Sequence, residues 1–63
     1  MKNINEVKVV CYGTQHIFKD KYEAIRFFAE CVANSEGAEQ ARYYYILYEI
    51  THGAKNINDE EMF

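Results

Sequence analysis

The sequence predicts an α+β fold in which a β-hairpin packs on an antiparallel pair of helices, in the order ββαα. Residues 7–18 are rich in β-branched and aromatic side chains and are interrupted by a glycine turn signal. Residues 21–33 and 38–51 carry apolar side chains with the spacing of a helix. Because a two-stranded ribbon alone is marginal in water, we expect the helices to cover its inner face.

The chain has 63 residues and begins with Met1, and we expect it to be one complete small domain. That length lies near the lower limit for a core that folds unaided. The hydrophobic fraction of 49% and the aromatic fraction of 16% are typical of a folded protein rather than a disordered one. The sequence predicts a frayed N-terminus over residues 1–6, a ββαα domain over residues 7–53 and a flexible acidic tail over residues 54–63.

The net charge and the hydropathy pattern argue against two classes of partner. Ten acidic residues against seven Lys and Arg give a formal charge of −3. This balance argues against non-specific nucleic-acid binding, which requires clustered positive charge. No apolar run approaches the roughly 18 residues that a membrane span needs, and no signal-peptide core follows Lys2. We therefore expect a cytoplasmic protein with no membrane contact.

The hairpin prediction depends on the pair Gly13-Thr14, a sequence that two-residue type II′ turns favour. In that register Cys11 lies opposite His16. Five side chains then share the face that lacks full charges, and we assign this face to the core. They are Val7, Val9, Cys11, His16 and Phe18.

Asp20 followed by Glu23 is a variant of the capping box and predicts a first helix from Lys21 to about Ala33. Residues 34–37 then link this helix to the second, and Phe27 falls at the boundary of the buried face. The predicted inward stripe of the first helix comprises Ala24, Ile25, Phe28 and Val32.

The second predicted helix, residues 38–51, has two apolar stripes on opposite sides, and Gly53 gives its C-terminal stop signal. One small core can cover one stripe but hardly both. We assign to the core the stripe of Tyr43, Ile46, Leu47 and Ile50. The opposite stripe consists of Ala41, Tyr44, Tyr45 and Tyr48.

Short motifs between residues 7 and 53 resemble a group of small uncharacterised proteins carried on conjugative transposons and prophages of Gram-positive bacteria. The matching features are a V-x-V hairpin with a glycine turn, an E-A-I-x-F helix start, an S-E-G link and an R-Y-x-x-I helix. Here they are Val7 and Val9 with Gly13, Glu23-Ala24-Ile25 with Phe27, Ser35-Glu36-Gly37, and Arg42-Tyr43 with Ile46. The resemblance implies a mobile-element origin and no particular activity, and Tyr44, Tyr45 and Tyr48 lie outside the shared pattern.

Two cysteines and two histidines raise the question of a zinc site built from Cys11, His16, Cys31 and His52. Structural zinc sites usually contain close ligand pairs such as C-x₂₋₄-C. Here four, fourteen and twenty residues separate successive ligands. We therefore predict no metal and interpret Cys11 and Cys31 as reduced core residues.

The sequence also lacks the patterns of an enzyme. A nucleophilic Cys–His pair needs a thiol of lowered pKa in an accessible pocket, and Cys11 lies on a strand that faces the core. There is no glycine-rich phosphate loop, and the acids Asp59, Glu60 and Glu61 fall in the predicted tail. We predict neither catalysis nor a cofactor.

The second apolar stripe is the main functional signal. Tyr44, Tyr45 and Tyr48 can simply cover the edge of the core with their hydroxyl groups in water. Tyrosine is also enriched at protein interfaces, and three of them beside Ala41 form a sizeable apolar patch. We predict a protein-binding module that forms a homodimer, with a host protein as a further candidate partner for an inhibitor or adaptor role. The alternative is a DNA-associated transcriptional accessory protein, in which the second helix would offer Gln40 and Arg42 to base edges.

Overall fold

The computed structural model describes residues 4–59 and confirms the α+β class and the ββαα order. Strands β1 (Val7–Cys11) and β2 (Thr14–Phe18) precede helices α1 (Lys21–Ala33) and α2 (Gly37–Thr51). A third strand, β3 (Asn56–Asn58), follows the helices and completes a sheet of order β2-β1-β3. Of the N-terminus predicted to fray, residues 1–3 lie outside the described residues.

The hairpin turn differs from the prediction by two residues in register. Val7 pairs with Phe18 and Cys11 pairs with Thr14, so the turn residues are Tyr12 and Gly13. Both have positive φ, 51° and 76°. A type I′ turn needs positive φ at both central residues, and its twist suits a right-twisted hairpin. The predicted Gly13-Thr14 turn was wrong because Tyr12, which is not glycine, accepts the left-handed conformation.

The predicted core face of the hairpin is confirmed in spite of the register error. Side chains alternate between the two faces of a strand, so a shift of two residues leaves every side chain on its original face. Four of the five predicted residues are buried and His16 is half-buried. The buried ones are Val7, Val9, Cys11 and Phe18.

Helix α1 has the predicted bounds, and α2 ends at Thr51 as predicted but begins at Gly37, one residue before the predicted start. The Asp20 carboxylate accepts a hydrogen bond from the Glu23 backbone N–H at 2.9 Å and caps α1. Gly53, with φ of 97°, follows α2, and its N–H donates to the Ile50 carbonyl at 3.0 Å. Within residues 4–59, neither helix has the length and apolar composition that crossing a bilayer requires.

Between the helices, the Gln40 side chain closes the link of the α-hairpin. Its amide nitrogen donates to the carbonyls of Val32 and Ser35, both at 2.9 Å. The Ser35 hydroxyl donates to the Cys31 carbonyl at 2.7 Å. The bonds to Val32 and Cys31 occupy carbonyls in the last turn of α1, which have no partner within the helix, and the bond to Ser35 occupies a carbonyl of the link. They hold α2 at a defined position against α1.

The C-terminal segment corrects the prediction of a flexible tail over residues 54–63. Strand β3 pairs in parallel with β1, with Val9 opposite Ile57. Ile57 is 6% exposed and Asp59 is fully buried. The free edge of β1 accepts the strand, and Ile57 extends the apolar inner face of the sheet. Residues 60–63 lie outside the described residues.

Helices α1 and α2 cover one face of the sheet, and the core lies between these two layers. The central side chain is Phe28, which is fully buried and packs edge-on against Phe18 with ring centroids 5.7 Å apart. Ile25 and Val32, which were predicted to point inward with Phe28, are half-buried. The buried residues contributed by the helices are Ala24, Phe28, Ile46 and Ile50.

Candidate functional site: an exposed tyrosine face on α2

The second apolar stripe of α2 lies on the surface. Tyr44, Tyr45 and Tyr48 are 62%, 43% and 52% exposed, whereas Ile46 and Ile50 are fully buried. A helix turns by about 100° per residue, so these two sets project in opposite directions. Ala41 is also exposed and lies one turn before Tyr44 and Tyr45. We call Ala41, Tyr44, Tyr45 and Tyr48 the tyrosine face. Its role as a contact surface stays a prediction.

His52 extends the tyrosine face by one helical turn and restrains Tyr48. The two rings stack with centroids 4.1 Å apart and an interplanar angle of 30°. The Nδ1 atom of His52 lies 2.9 Å from the Tyr48 carbonyl oxygen. A carbonyl oxygen only accepts hydrogen bonds, so Nδ1 carries a proton and donates here. The i,i+4 spacing of the two residues is the signal from which this pair could have been predicted.

Tyr45 is held by a residue on the next turn of the helix. Its hydroxyl hydrogen-bonds to the Glu49 carboxylate, and this bond, followed by the negative charge of Glu49, raises the pKa of Tyr45. The phenol therefore stays neutral well above physiological pH and donates to Glu49. Two of the three tyrosines thus have side-chain partners four residues further along the chain. A ring that is already restrained loses less entropy when it binds a partner.

A polar cluster on another side of α2 contains Arg42, Asp59 and Tyr12. The Nη1 atom of Arg42 lies 3.5 Å from the Oδ2 atom of Asp59, which also accepts a hydrogen bond from the Tyr12 backbone N–H at 3.3 Å. The Arg42 guanidinium lies over the Tyr12 ring, 4.7 Å from its centroid. Within residues 4–59, the Oδ1 atom of Asp59 is buried without a hydrogen-bond partner. No local pattern in the sequence indicates this cluster, because 47 positions separate Tyr12 from Asp59.

The same contacts bear on the DNA-binding alternative. It relied on Gln40 and Arg42 of α2 to reach base edges. The Gln40 amide donates to two carbonyls of the link between the helices. The Arg42 guanidinium contacts Asp59 and Tyr12. Both side chains therefore already have partners within the fold.

Three of the four candidate zinc ligands surround one small cavity. Cys11, His16 and Cys31 line a space of about 210 Å³ beside the hairpin turn. The fourth, His52, lies at the end of α2 and stacks on Tyr48 instead. Within residues 4–59, no group of three or more His, Cys, Asp or Glu side chains is arranged to hold a metal ion. The cavity is completed by Tyr12, Thr14, Phe27 and Tyr43.

The thiols in this cavity are free and weakly acidic. Burial, assisted by the charge of Asp59, raises the pKa of Cys11 to about 11. Burial, assisted by Glu30, also raises the pKa of Cys31. The thiolate is the reactive form of cysteine, and reactive sites lower the thiol pKa rather than raise it. The thiols therefore have the character of core residues.

Comparison with known proteins gives no relative from which a role could be transferred. No protein-family model, curated protein or solved structure matches the chain. The resemblance to short mobile-element proteins therefore stays a prediction. Any functional proposal depends on the surface of the molecule itself.

Proposed function

We propose that this protein is a small protein-binding module that self-associates through the tyrosine face. The observation that supports the proposal is the exposure of Tyr44, Tyr45 and Tyr48 on the side of α2 that faces away from the core. Tyrosine supplies a large apolar contact area with few rotatable bonds and keeps a polar hydroxyl at the rim. These properties favour a protein partner.

A second copy is the occupant that best fits a patch along a single helix. In a two-fold dimer each patch meets its own copy, so one surface supplies both sides of the contact. Self-association would also enlarge a core that is small for the chain, which has only nine buried apolar residues among those described. The dimer axis would lie near Tyr44 and Tyr45, which occupy the middle of the patch.

The size of the patch sets the expected affinity. A whole aromatic side chain offers about 150–250 Å², so three half-exposed tyrosines offer roughly 300 Å² per copy. Stable complexes usually bury about 800 Å² per partner. Each Å² of apolar surface buried in the contact contributes roughly 25 cal/mol to the binding free energy, before the cost of association is subtracted. We therefore expect a dimer with a dissociation constant in the micromolar range.

The resemblance to mobile-element proteins extends the proposal to a host partner. A small module of that origin would act as an inhibitor or adaptor by docking the same tyrosine face on a host complex. The DNA-associated role is the rival proposal. A gel-shift with random duplex at low salt separates the two, because DNA binding would weaken steeply as salt is added.

Light scattering at about 100 µM, well above a micromolar dissociation constant, tests the homodimer. We expect wild type to be a dimer and the double variant Tyr45→Glu, Tyr48→Glu to be a folded monomer, because it places two charges in each half of the contact. A matched control carries Tyr22→Glu and Ala29→Glu. Both of these residues are exposed on α1, and the control should remain dimeric. A monomeric wild type would contradict self-association.

A further inference from the structure

Along the exposed side of α2, small residues in the N-terminal half match bulky residues at the same distance from the midpoint in the C-terminal half. Gly37 and Ala41 precede the midpoint between Tyr44 and Tyr45 by as many positions as His52 and Tyr48 follow it. Each of these residues is exposed. The N-terminal half of this surface is therefore a shallow depression, and the C-terminal half is a ridge. The stripe so defined comprises Gly37, Ala41, Tyr44, Tyr45, Tyr48 and His52.

We propose that two copies pair through α2 in antiparallel orientation, about a two-fold axis that passes midway between Tyr44 and Tyr45. This inference rests on the proposed self-association and specifies its geometry. The axis reverses one helix relative to the other. Ala41 then meets Tyr48 of the second copy, and Gly37 meets the second copy's His52. At the axis the two copies of Tyr44 meet on one flank of the stripe, and the two copies of Tyr45 meet on the other.

Packing explains why this orientation is favoured. In the antiparallel register each bulky ring enters the space above a residue with little or no side chain. A parallel register would place Tyr48 against Tyr48 and Ala41 against Ala41, which separates the helices at one end and leaves a void at the other. Protein contacts are close-packed, and the atoms lining a void lose their dispersion contacts. Self-complementary shape therefore selects the antiparallel pair.

Both halves of the proposed contact already have the required shape in the single chain. The ridge is rigid because the His52 ring stacks on Tyr48 and donates a hydrogen bond to the Tyr48 carbonyl oxygen. The depression is open because a Cβ built on Gly37 would meet no atom within 4 Å. A restrained ridge that enters an open depression loses little conformational entropy on association.

Intermolecular distances between spin labels test the orientation. The labels are attached at Ala38→Cys in one sample and at Thr51→Cys in another, since both residues are exposed and lie beside the stripe. Cys31→Ala removes the half-buried native thiol, while Cys11 is only 4% exposed. Circular dichroism checks that each variant is folded. Light scattering of the same samples reports their association.

The antiparallel register places Ala38 opposite Thr51 of the second copy. A mixture of the two labelled proteins should therefore show a short distance, close to the helix separation of about 10 Å. Each protein alone should show only long distances, because a rise of 1.5 Å per residue separates equivalent labels by about 20 Å along the axis.

The three alternative outcomes are distinguishable from one another. Short distances in each single sample, and only long ones in the heterodimers of the mixture, would establish a parallel dimer and overturn the orientation alone. A dimer with no short distance in any sample would place the contact on another surface. A monomer by light scattering would overturn the proposed self-association itself.

Discussion

The Nη1 atom of Arg42 lies 3.5 Å from the Oδ2 atom of Asp59, and this contact joins the middle of α2 to the residue that follows β3. The Asp59 side chain is fully buried, whereas that of Arg42 is 29% exposed. The Tyr12 backbone N–H donates to the same carboxylate oxygen at 3.3 Å. A buried carboxylate is costly unless it is paired and hydrogen-bonded. The guanidinium therefore allows the C-terminal segment to pack with its acid inside.

Arg42→Met should destabilise the protein because it keeps the aliphatic stem and removes the charge opposite Asp59. Loss of one partner from a buried pair costs about 3–5 kcal/mol, and the partial exposure of Arg42 reduces our expectation to about 2–4 kcal/mol. Urea denaturation followed by circular dichroism measures the change. Arg26→Met, at an exposed position of α1, is the matched control and should be nearly silent. Equal losses in the two variants would contradict a structural role for the pair.

Phe28→Ala tests the centre of the core. The Phe28 ring is fully buried, with Phe27 and Phe18 ring centroids 5.0 and 5.7 Å away. Truncation of a buried phenylalanine typically costs about 3–5 kcal/mol, which is most of the stability of a domain this small. A thermal melt should show a large drop or no cooperative transition. Glu30→Ala, at an exposed position of the same helix, should leave the melt unchanged. A shift of only a degree or two for Phe28→Ala would be inconsistent with this core.

The buried Cys11 thiol predicts a loss of stability in alkali. Its pKa rises from 9.0 to about 11 because the fold buries it and places Asp59 nearby. Below pH 9 the thiol is protonated in both the folded and the unfolded chain. Between pH 9 and about 11 the unfolded chain releases the proton and the folded chain retains it, so the free energy of unfolding falls as the pH rises.

Comparison of wild type with Cys11→Ala measures this contribution together with the smaller effect of the Cys11 charge on the pKa of Tyr43. Tyr43, whose pKa is also raised by burial, titrates in both proteins. Urea midpoints are measured at about pH 8.5 and pH 10.5, which cover the lower part of the pH range in which the Cys11 thiol loses its proton. Wild type should lose more stability than the variant between these two values. Parallel losses would show that the Cys11 thiol makes no contribution to the pH dependence.

Treatment with a metal chelator should leave the thermal stability of the protein unchanged. Zinc ligands must be deprotonated, and burial raises the pKa of both Cys11 and Cys31. The third group at their cavity, His16, packs against Phe27 with ring centroids 5.2 Å apart. We predict that purified protein contains no stoichiometric zinc and that a chelator leaves its melt unchanged. Elemental analysis that finds one zinc ion per chain or per dimer would overturn this prediction.

Local signals in the sequence were sufficient to predict both helices and the inner face of the hairpin. Asp20 with Glu23 and the glycine at position 53 act on their immediate neighbours, so the ends of the helices follow from short stretches of sequence. The alternation of Val7, Val9 and Cys11 determines which face is apolar. A register shift of two residues does not change which face each side chain occupies. The inner face was therefore predicted correctly although the turn was assigned to the wrong residues.

The exposed tyrosines could also be anticipated from the sequence. The spacing of Tyr44, Tyr45 and Tyr48 places them opposite the buried side of α2, and they are exposed in the structure. The i,i+4 spacing of Tyr48 and His52 likewise indicates that these two side chains can meet, and the structure adds that their rings stack and that the imidazole donates to the Tyr48 carbonyl oxygen.

Only the tertiary structure decided the turn at Tyr12-Gly13, the third strand and the buried Asp59. Type I′ turns usually have Asn, Asp or Gly at their first position, so Tyr12 gave no local indication that it would adopt positive φ. Ile57 is a single apolar residue between asparagines, which is too weak a pattern to indicate a strand. The strand forms because β1 offers an unpaired edge and an apolar face, and the Asp59 carboxylate is buried where Arg42 and the Tyr12 N–H contact it. These partners are distant in the sequence, so their effect exists only in the folded chain.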